Sequence, residues 1–302
     1  MTAKIVIVGS FNTDLTSYLD RMPRPGETVS GDRFVTGPGG KGSNQAVAAA
    51  RLGADVTFVG RVGKDVFANL AYGIWESEGV NTDYVIEDPD HATGVAPIFV
   101  DSSGENMIVV VLGANLNIQQ SDIDAAKDVI ADADVLMVQL EINHDMVGYA
   151  LKVASELGIT TILNPAPAAK LPEDYVKLAN YITPNETELE VLSGSNSDDV
   201  VTNAKSLLTT DEQTVVVTMG SQGAQIVQQN TQALVGTFNV DVVDTTGAGD
   251  AFNGGLAVAL AEGKSLTDAV KFANATAALC VTKPGTAPSM PQRADVDALY
   301  DS

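Results

Sequence analysis

The chain has 302 residues, 45% hydrophobic and 19% charged, and 17 Lys plus Arg against 39 Asp plus Glu give a formal charge of −22. That apolar share supports a buried core and excludes wholesale disorder, while the acidic balance removes the general attraction to phosphate backbones and anionic headgroups. Neither nucleic acid nor a membrane is an expected partner; one cysteine, Cys280, and two histidines, His91 and His144, exclude an internal disulfide and a Cys/His zinc cluster.

From the N-terminus the chain runs directly into a strand over residues 5–8, too short an apolar run for a secretory leader. No later apolar run approaches the roughly 20 residues of a membrane helix, so a cytoplasmic location is expected. At the end of this strand Ser10, Asn12 and Asp14 alternate, which puts Asn12 and Asp14 on one face. An amide and a carboxylate side by side suit the vicinal hydroxyls of a sugar. Residues 15–36 are extended and punctuated by turns, with no helix.

The glycine loop 37–44, Gly-Pro-Gly-Gly-Lys-Gly-Ser-Asn, opens an alanine-rich helical pattern over 45–52. Such a loop lets a ligand approach the backbone, with Ser43 or Asn44 at the helix start. Gly37, Gly39 and Gly42 satisfy G-x-G-x-x-G, but the dinucleotide fingerprint belongs directly after the first strand, which ends at Gly9; a tight turn before a packed helix is the alternative. A P-loop fails, because Gly42 follows Lys41 where Ser or Thr is required and Val258 stands where Gly263-Lys264-Ser265 needs its leading glycine.

Residues 56–59 form the next expected strand, and Phe67, Leu70, Ala71 and Ile74 have helical spacing. Residues 94–100 and 106–111, joined by a turn at 101–104, read as a hairpin in which Pro97 argues for an edge position or a bulge. With 15–36 this hairpin predicts a small antiparallel sheet projecting from the main body. Strands follow at 135–140, ending in Glu141, and at 159–163. Asn185 and Glu188 then share one face at a helix start, able either to hold a hydrated Mg²⁺ beside phosphates or to form a capping box.

The expected strand 214–219 leads into the glycine turn Thr218, Met219, Gly220, Ser221, Gln222, Gly223, suited to lying over a nucleotide. Small residues at Gly247, Ala248 and Gly249 open a helix whose amides and dipole form an anion cradle. Asp250 in that cradle is electrostatically odd; it is either a general base for a hydroxyl attacking phosphorus or a helix cap. Leu266, Ala269, Val270 and Ala273 mark a last helix. Strands alternating with helices predict a three-layer α/β/α sandwich on a mostly parallel central sheet, with ligands beyond the strands' carboxyl ends.

Residues 39–46 and 244–250, supported by 9–14, 113–115, 139–141, 164–168 and 183–186, closely resemble the ribokinase family of sugar kinases, over a span from Lys4 to about Ser289. The resemblance implies one kinase domain over 1–302, with a β lid from about 15–36 and 93–111 that often carries a homodimer contact. It implies ATP-dependent phosphorylation of D-ribose at O5, with deoxyribose, a nucleoside or another furanose as alternative acceptors. By matching position, Asn12, Asp14, Gly40, Lys41, Gly42, Ser43, Asn44 and Glu141 would hold the sugar, with Asp250 as base and the amides of Gly247, Ala248, Gly249 and Asp250 as anion hole. Asn185, Thr218 to Gly223, Gly249, Asp250 and Asn274 would contact ATP, and Glu188 would reach Mg²⁺ through water. Asp244, Thr246, Cys280, Lys283, Gly285 and Ser289 would line a K⁺ site, mostly through backbone oxygens. A dehydrogenase and a non-catalytic sugar-binding regulator are the other classes; the second would lack Asp250 or the cradle, and both are present.

Overall fold

Along β1 (Lys4–Val8), Ile5 and Ile7 point to one side of the sheet and Val6 and Val8 to the other, and all four are buried. A strand covered on both faces needs helices on both faces. The computed structural model, which describes every residue except Met1, Asn196 and Asp198, supplies them. The helices Lys41–Arg51, Ala68–Ser77, Ala248–Ala261 and Leu266–Cys280 cover the Ile5 side, and His144–Glu156 lies with Ile123, Leu189 and Ala204 on the Val6 side.

Strand β2 is Asn12–Leu19, β3 Gly31–Gly39, β4 Asp55–Gly63, β5 Asn81–Asp88, β6 Gly94–Val100 and β7 Asn106–Ile108. The later strands are β8 (Val135–Val138), β9 (Thr160–Leu163), β10 (Tyr181–Ile182), β11 (Thr214–Thr218), β12 (Ala224–Val227) and β13 (Gln232–Val235). Among the described residues the main sheet runs β13-β12-β11-β10-β9-β8-β1-β4-β5, with only the β11–β12 and β12–β13 pairs antiparallel. Strand β1 lies between β4 and β8, so the connections turn in opposite directions on its two sides, the arrangement that opens a crevice at the strands' carboxyl ends.

The second sheet, ordered β3-β2-β6-β7, corrects the expected antiparallel sheet in one respect: β2 and β6 pair in parallel from Asn12↔Gly94 to Tyr18↔Val100. They run together because each leaves the main body on the same side. Pro97 therefore sits on an interior strand and not on an edge. The register passes through it unshifted, from Ile98↔Ile108 to the Val95–Val111 bridge, with Val109 N–H donating to the Pro97 carbonyl, so there is no bulge. Asn12 and Asp14 also move: the first strand stops at Val8, and both lie at the base of β2. No helix among the described residues is long and apolar enough to cross a membrane.

The approach of two helices sets the site. A Cβ at Gly254 would stand 2.6 Å from the Cβ of Ala48, so the glycine lets the Ala248–Ala261 helix lie directly on Lys41–Arg51. Their first turns, carrying Asp250 and Asn44, meet at the mouth of the crevice.

Candidate active site

Glu141 follows β8 and is 7% exposed. Its Oε2 accepts from the Ser10 hydroxyl at 2.5 Å, the Lys41 backbone N–H at 2.8 Å and Asn12 Nδ2 at 3.3 Å, which joins the exits of β1 and β8 to the start of the Lys41–Arg51 helix. Gly40 caps this helix at φ 87°, so the helix starts slightly earlier than expected and Ser43 and Asn44 lie inside its first turn. Ser43 is turned away from the crevice: its hydroxyl accepts from Trp75 Nε1 at 3.0 Å and its N–H bonds the Ser10 carbonyl. Asn44 faces inward, donating Nδ2 to Asp250 Oδ2 at 2.9 Å, and its buried Oδ1 has no partner among the described residues.

Asp14, partly exposed, accepts weakly from the Thr286 hydroxyl at 3.4 Å. Burial pushes the Asp14 carboxyl up to about 7; the Thr286 hydroxyl opposes that rise, and the charges of Glu141 and Asp250 add to it. Burial also raises Asp250; Lys41 and the amides of Asn44 and Gln45 oppose that rise. Burial would lower the Lys41 ammonium, but Asp250, Glu141 and Glu188 together hold it above its ordinary value. Lys41 thus sits in the field of three carboxylates without an ion pair to any described residue.

The Asp250 side chain does not cap its helix. The cap position is Gly247, in the left-handed region at φ 81°, and both Asp250 oxygens accept from side chains of the facing helix. Ala248 N–H turns to the Thr245 carbonyl at 3.3 Å, and Ala251 makes the first full helical bond to Gly247. Gly249 and Asp250 have no backbone acceptor among the described residues, so their amides open toward the crevice. Gly37 and Gly39, by contrast, lie on β3 in the small sheet, which removes them from any strand-to-helix dinucleotide turn.

Asn185 and Glu188 form the capping box. Glu188 N–H donates to Asn185 Oδ1 at 2.8 Å and Asn185 N–H to Glu188 Oε2 at 2.9 Å. The other Glu188 oxygen makes no hydrogen bond among the described residues, and burial raises this carboxyl. Asn185 bridges Thr218, whose strand ends in the turn Gly220–Gln222, bringing Met219, Ser221 and Gly223 to the same end of the sheet. Asn274 reaches this corner indirectly: its Nδ2 ties the carbonyls of Val235 and Gly236, which lie against Gly223, so its amide is spent on the loop.

The remaining loops converge behind the cradle. Asp244 accepts from Thr246 N–H and Gly285 N–H, both at 2.9 Å. Burial works against that charge, and the two N–H donors hold the carboxyl below its ordinary range. Ser289 donates to the Thr286 carbonyl at 2.7 Å and lies 3.1 Å from Cys280 Sγ, while Lys283 N–H returns to the Cys280 carbonyl and its side chain is exposed. No group of three or more His, Cys, Asp or Glu side chains among the described residues could hold a metal, so any ion here relies on backbone oxygens, water or phosphate.

Sequence reasoning assigned no role to two residues that hold the site. Asn115 is fully buried; its Oδ1 accepts from Phe11 N–H, and its Nδ2 contacts the Phe11 and Leu112 carbonyls and Asn12 Oδ1. It thereby fixes both roots of the small sheet and turns Asn12 Nδ2 toward Glu141. Gln45 joins Asp250 to β8 and β9. Their signals were present only as letters within 113–115 and 39–46, without the long-range contacts that give them a task.

Residues 2–293 match the profile of the pfkB family carbohydrate kinases. The chain is 37% identical over 296 residues to a ribokinase of Haemophilus influenzae, covering 97% of each. It is 39% identical over 291 residues to a deoxyribokinase of Salmonella typhi, covering 95% of each. The structure of an Arabidopsis thaliana ribokinase complexed with ribose and ATP superposes with a TM-score of 0.92 at 32% identity, covering all of both chains.

Proposed function

Since the chain belongs to the pfkB family of carbohydrate kinases, we propose that it transfers the γ-phosphoryl group of ATP to O5 of D-ribose. The observation that carries this reading is the corner where Asp250, the open amides of Gly249 and Asp250, and the unpartnered Asn44 Oδ1 converge. The similar Arabidopsis protein holds ribose and ATP together in the same fold.

Asn12, Asp14, Glu141, Asn44 and the Gly40–Gly42 backbone hold the sugar. Asp250, made more basic by burial, takes the proton of the attacking hydroxyl, and the amide cradle receives the negative charge of the transferring phosphoryl group. The Thr218–Gly223 turn, Asn185 and the Asn274-tied loop carry the nucleotide. Mg²⁺, when bound, neutralises phosphate charge, and the free Glu188 oxygen fits a water-mediated contact to it. K⁺ would be held by oxygens of Asp244, Thr246, Cys280, Lys283, Gly285 and Ser289, a reading supported by the way Asp244 draws the Thr246 and Gly285 loops together; a cation there would add positive potential near the cradle.

The whole chain acts as one kinase domain, with the small sheet as a lid that excludes water from the transfer. Phe34, Phe99 and Met107 stand exposed in one cross-strand row of that sheet, an apolar face that supports a homodimer. A reducing cytoplasm suits the free Cys280 thiol.

Coupled measurement of ADP release tests the reading. D-ribose should give the highest kcat/KM, and 2-deoxyribose at least about tenfold less, because a buried polar group loses its hydroxyl partner. Omitting K⁺ should slow turnover. Preference for deoxyribose or a nucleoside would move the assignment to the alternative acceptors.

Sugar affinity should also depend on pH. An ionised Asp14 makes charge-assisted bonds to hydroxyls, so sugar binding favours the ionised form; with the free carboxyl near about 7, the dissociation constant should fall as pH rises through that value. The sign for folding is opposite: the raised carboxyl contributes stability fully present below its ordinary value of 3.8 and lost as pH rises through about 7. Calorimetric titration of sugar from pH 5.5 to 8.5 should show the trend in the unaltered protein and its absence in Asp14→Asn; a flat profile in both rejects the assignment.

A further inference from the structure

The geometry points to Gln45 as a positioning residue for Asp250, holding the carboxylate in place through a row of buried amides that continues to the nucleotide side of the site. This rests on the reading of Asp250 as the base. Gln45 is fully buried and donates Nε2 to Asp250 Oδ1 at 3.1 Å and to Asn164 Oδ1 at 3.0 Å, while its Oε1 accepts from Gln139 Nε2 at 2.6 Å.

The direction of every bond in this row is fixed from one end. The Thr183 carbonyl can only accept, so Asn164 must present Nδ2 to it, at 3.1 Å. Asn164 then presents Oδ1 to Gln45, which must answer with Nε2. The second proton of that nitrogen is thereby directed at Asp250, and the Gln45 oxygen faces Gln139. A flipped Gln45 amide would set its oxygen against two acceptors. Beyond Thr183, its hydroxyl donates to Asn253 Oδ1 at 2.6 Å, and Asn253 Nδ2 donates to the Gly249 carbonyl at 2.8 Å, in the wall of the cradle.

Asn44 and Gln45 divide the work at Asp250. Each gives one amide proton to one carboxylate oxygen, leaving the second lone pairs of both oxygens for an incoming hydroxyl. Asn44 keeps an oxygen without a partner among the described residues for the sugar, whereas both polar atoms of Gln45 are committed to protein partners. Gln45 therefore influences the reaction only through the carboxylate it orients. Packing alone would not ask for a glutamine here, since an aliphatic side chain fills the same space without needing three partners.

The test is a kinetic cycle in the full-length protein. Gln45→Leu removes the donor, and Gln45→Glu keeps the shape and the acceptor for Gln139 while removing the obligatory donor toward Asp250. Either change should lower kcat by about tenfold to a hundredfold, the scale of a misplaced reacting group, with KM for sugar and ATP shifting by less than about threefold. In an Asp250→Asn background the same changes should cost less than about twofold of the residual turnover, because their route to the chemistry is gone. Melting curves verify folding, and Gln45→Glu carries the test if the leucine variant unfolds. Equal losses in both backgrounds, a rise in KM at unchanged kcat, or full turnover in Gln45→Glu each overturn the inference. Retained turnover in Asp250→Asn alone would instead remove the base on which it rests.

Discussion

Replacing Asp250 with Asn is expected to lower kcat by about a hundredfold or more, with ATP affinity unchanged and the melting temperature within a few degrees of the parent. The three expectations have separate causes. The amide cannot take a proton, so the base contribution vanishes. The cradle is made of backbone N–H groups at Gly249 and Asp250, which a side-chain change leaves where they are. Stability is held by two opposing effects. The buried carboxylate is raised above its ordinary value, which means its ionised form opposes folding at neutral pH, and Asn removes that burden. Against this, Asn44 and Gln45 both present N–H groups to residue 250, and an amide can accept from only one of them. Steady-state kinetics, nucleotide titration and a thermal melt check the three parts. Near-parental turnover would take the proton-abstracting role away from Asp250 whatever the other two show.

The parts of this molecule that were legible in the sequence are those whose cause is local. Residues 5–8 and 56–59 read as strands because burial on both faces leaves an unbroken apolar run. A capping box was one of the two readings open for Asn185 and Glu188, visible because the box spans one helical turn. By contrast β5 has a half-polar pattern, and β10 is two residues long, too little for any periodicity to register. The parallel pairing of β2 with β6 joins segments far apart in the chain, and neither carries a mark of its direction. Asn12 and Asp14 were placed on the first strand because nothing in residues 9–11 announces that the chain is leaving the main sheet.

The candidate site divides the same way. Asp250 was visible because a carboxylate inside a run of small residues at a helix start is electrostatically out of place. Ser43 was read with neighbours that face the crevice, while its own hydroxyl accepts from Trp75, a contact no spacing reveals. Gln45 and Asn115 look like ordinary polar letters until Asn164, Asp250, Phe11 and Leu112 are brought beside them. The residues proposed to line a cation site entered only through family resemblance, because backbone oxygens carry no side-chain signature.

Gly42→Ala should disable the sugar side of the site. A Cβ at Gly42 would lie 2.5 Å from Ser10 N and 2.8 Å from Gly9 Cα, both backbone atoms at the exit of the central strand β1, where no flexible side chain can yield. The first turn of the Lys41–Arg51 helix must lift instead. That turn is held by Ser43 N–H on the Ser10 carbonyl and Lys41 N–H on Glu141, and it carries Asn44 and Gln45 to Asp250. Lifting it undoes these contacts together, so sugar affinity should fall by about a hundredfold or more and stability by ~2–3 kcal/mol. ATP binding should suffer far less, because the loops proposed to carry it follow β10 and β11 on other strands. Gly73→Ala supplies the contrast: it is exposed in the Ala68–Ser77 helix, its Cβ would meet nothing within 4 Å, and alanine there should stabilise by about 0.5–1 kcal/mol. Sugar calorimetry and chemical denaturation on both variants decide the matter. Parental sugar affinity in Gly42→Ala would mean that the close seat of this turn on β1 is not what arms the site.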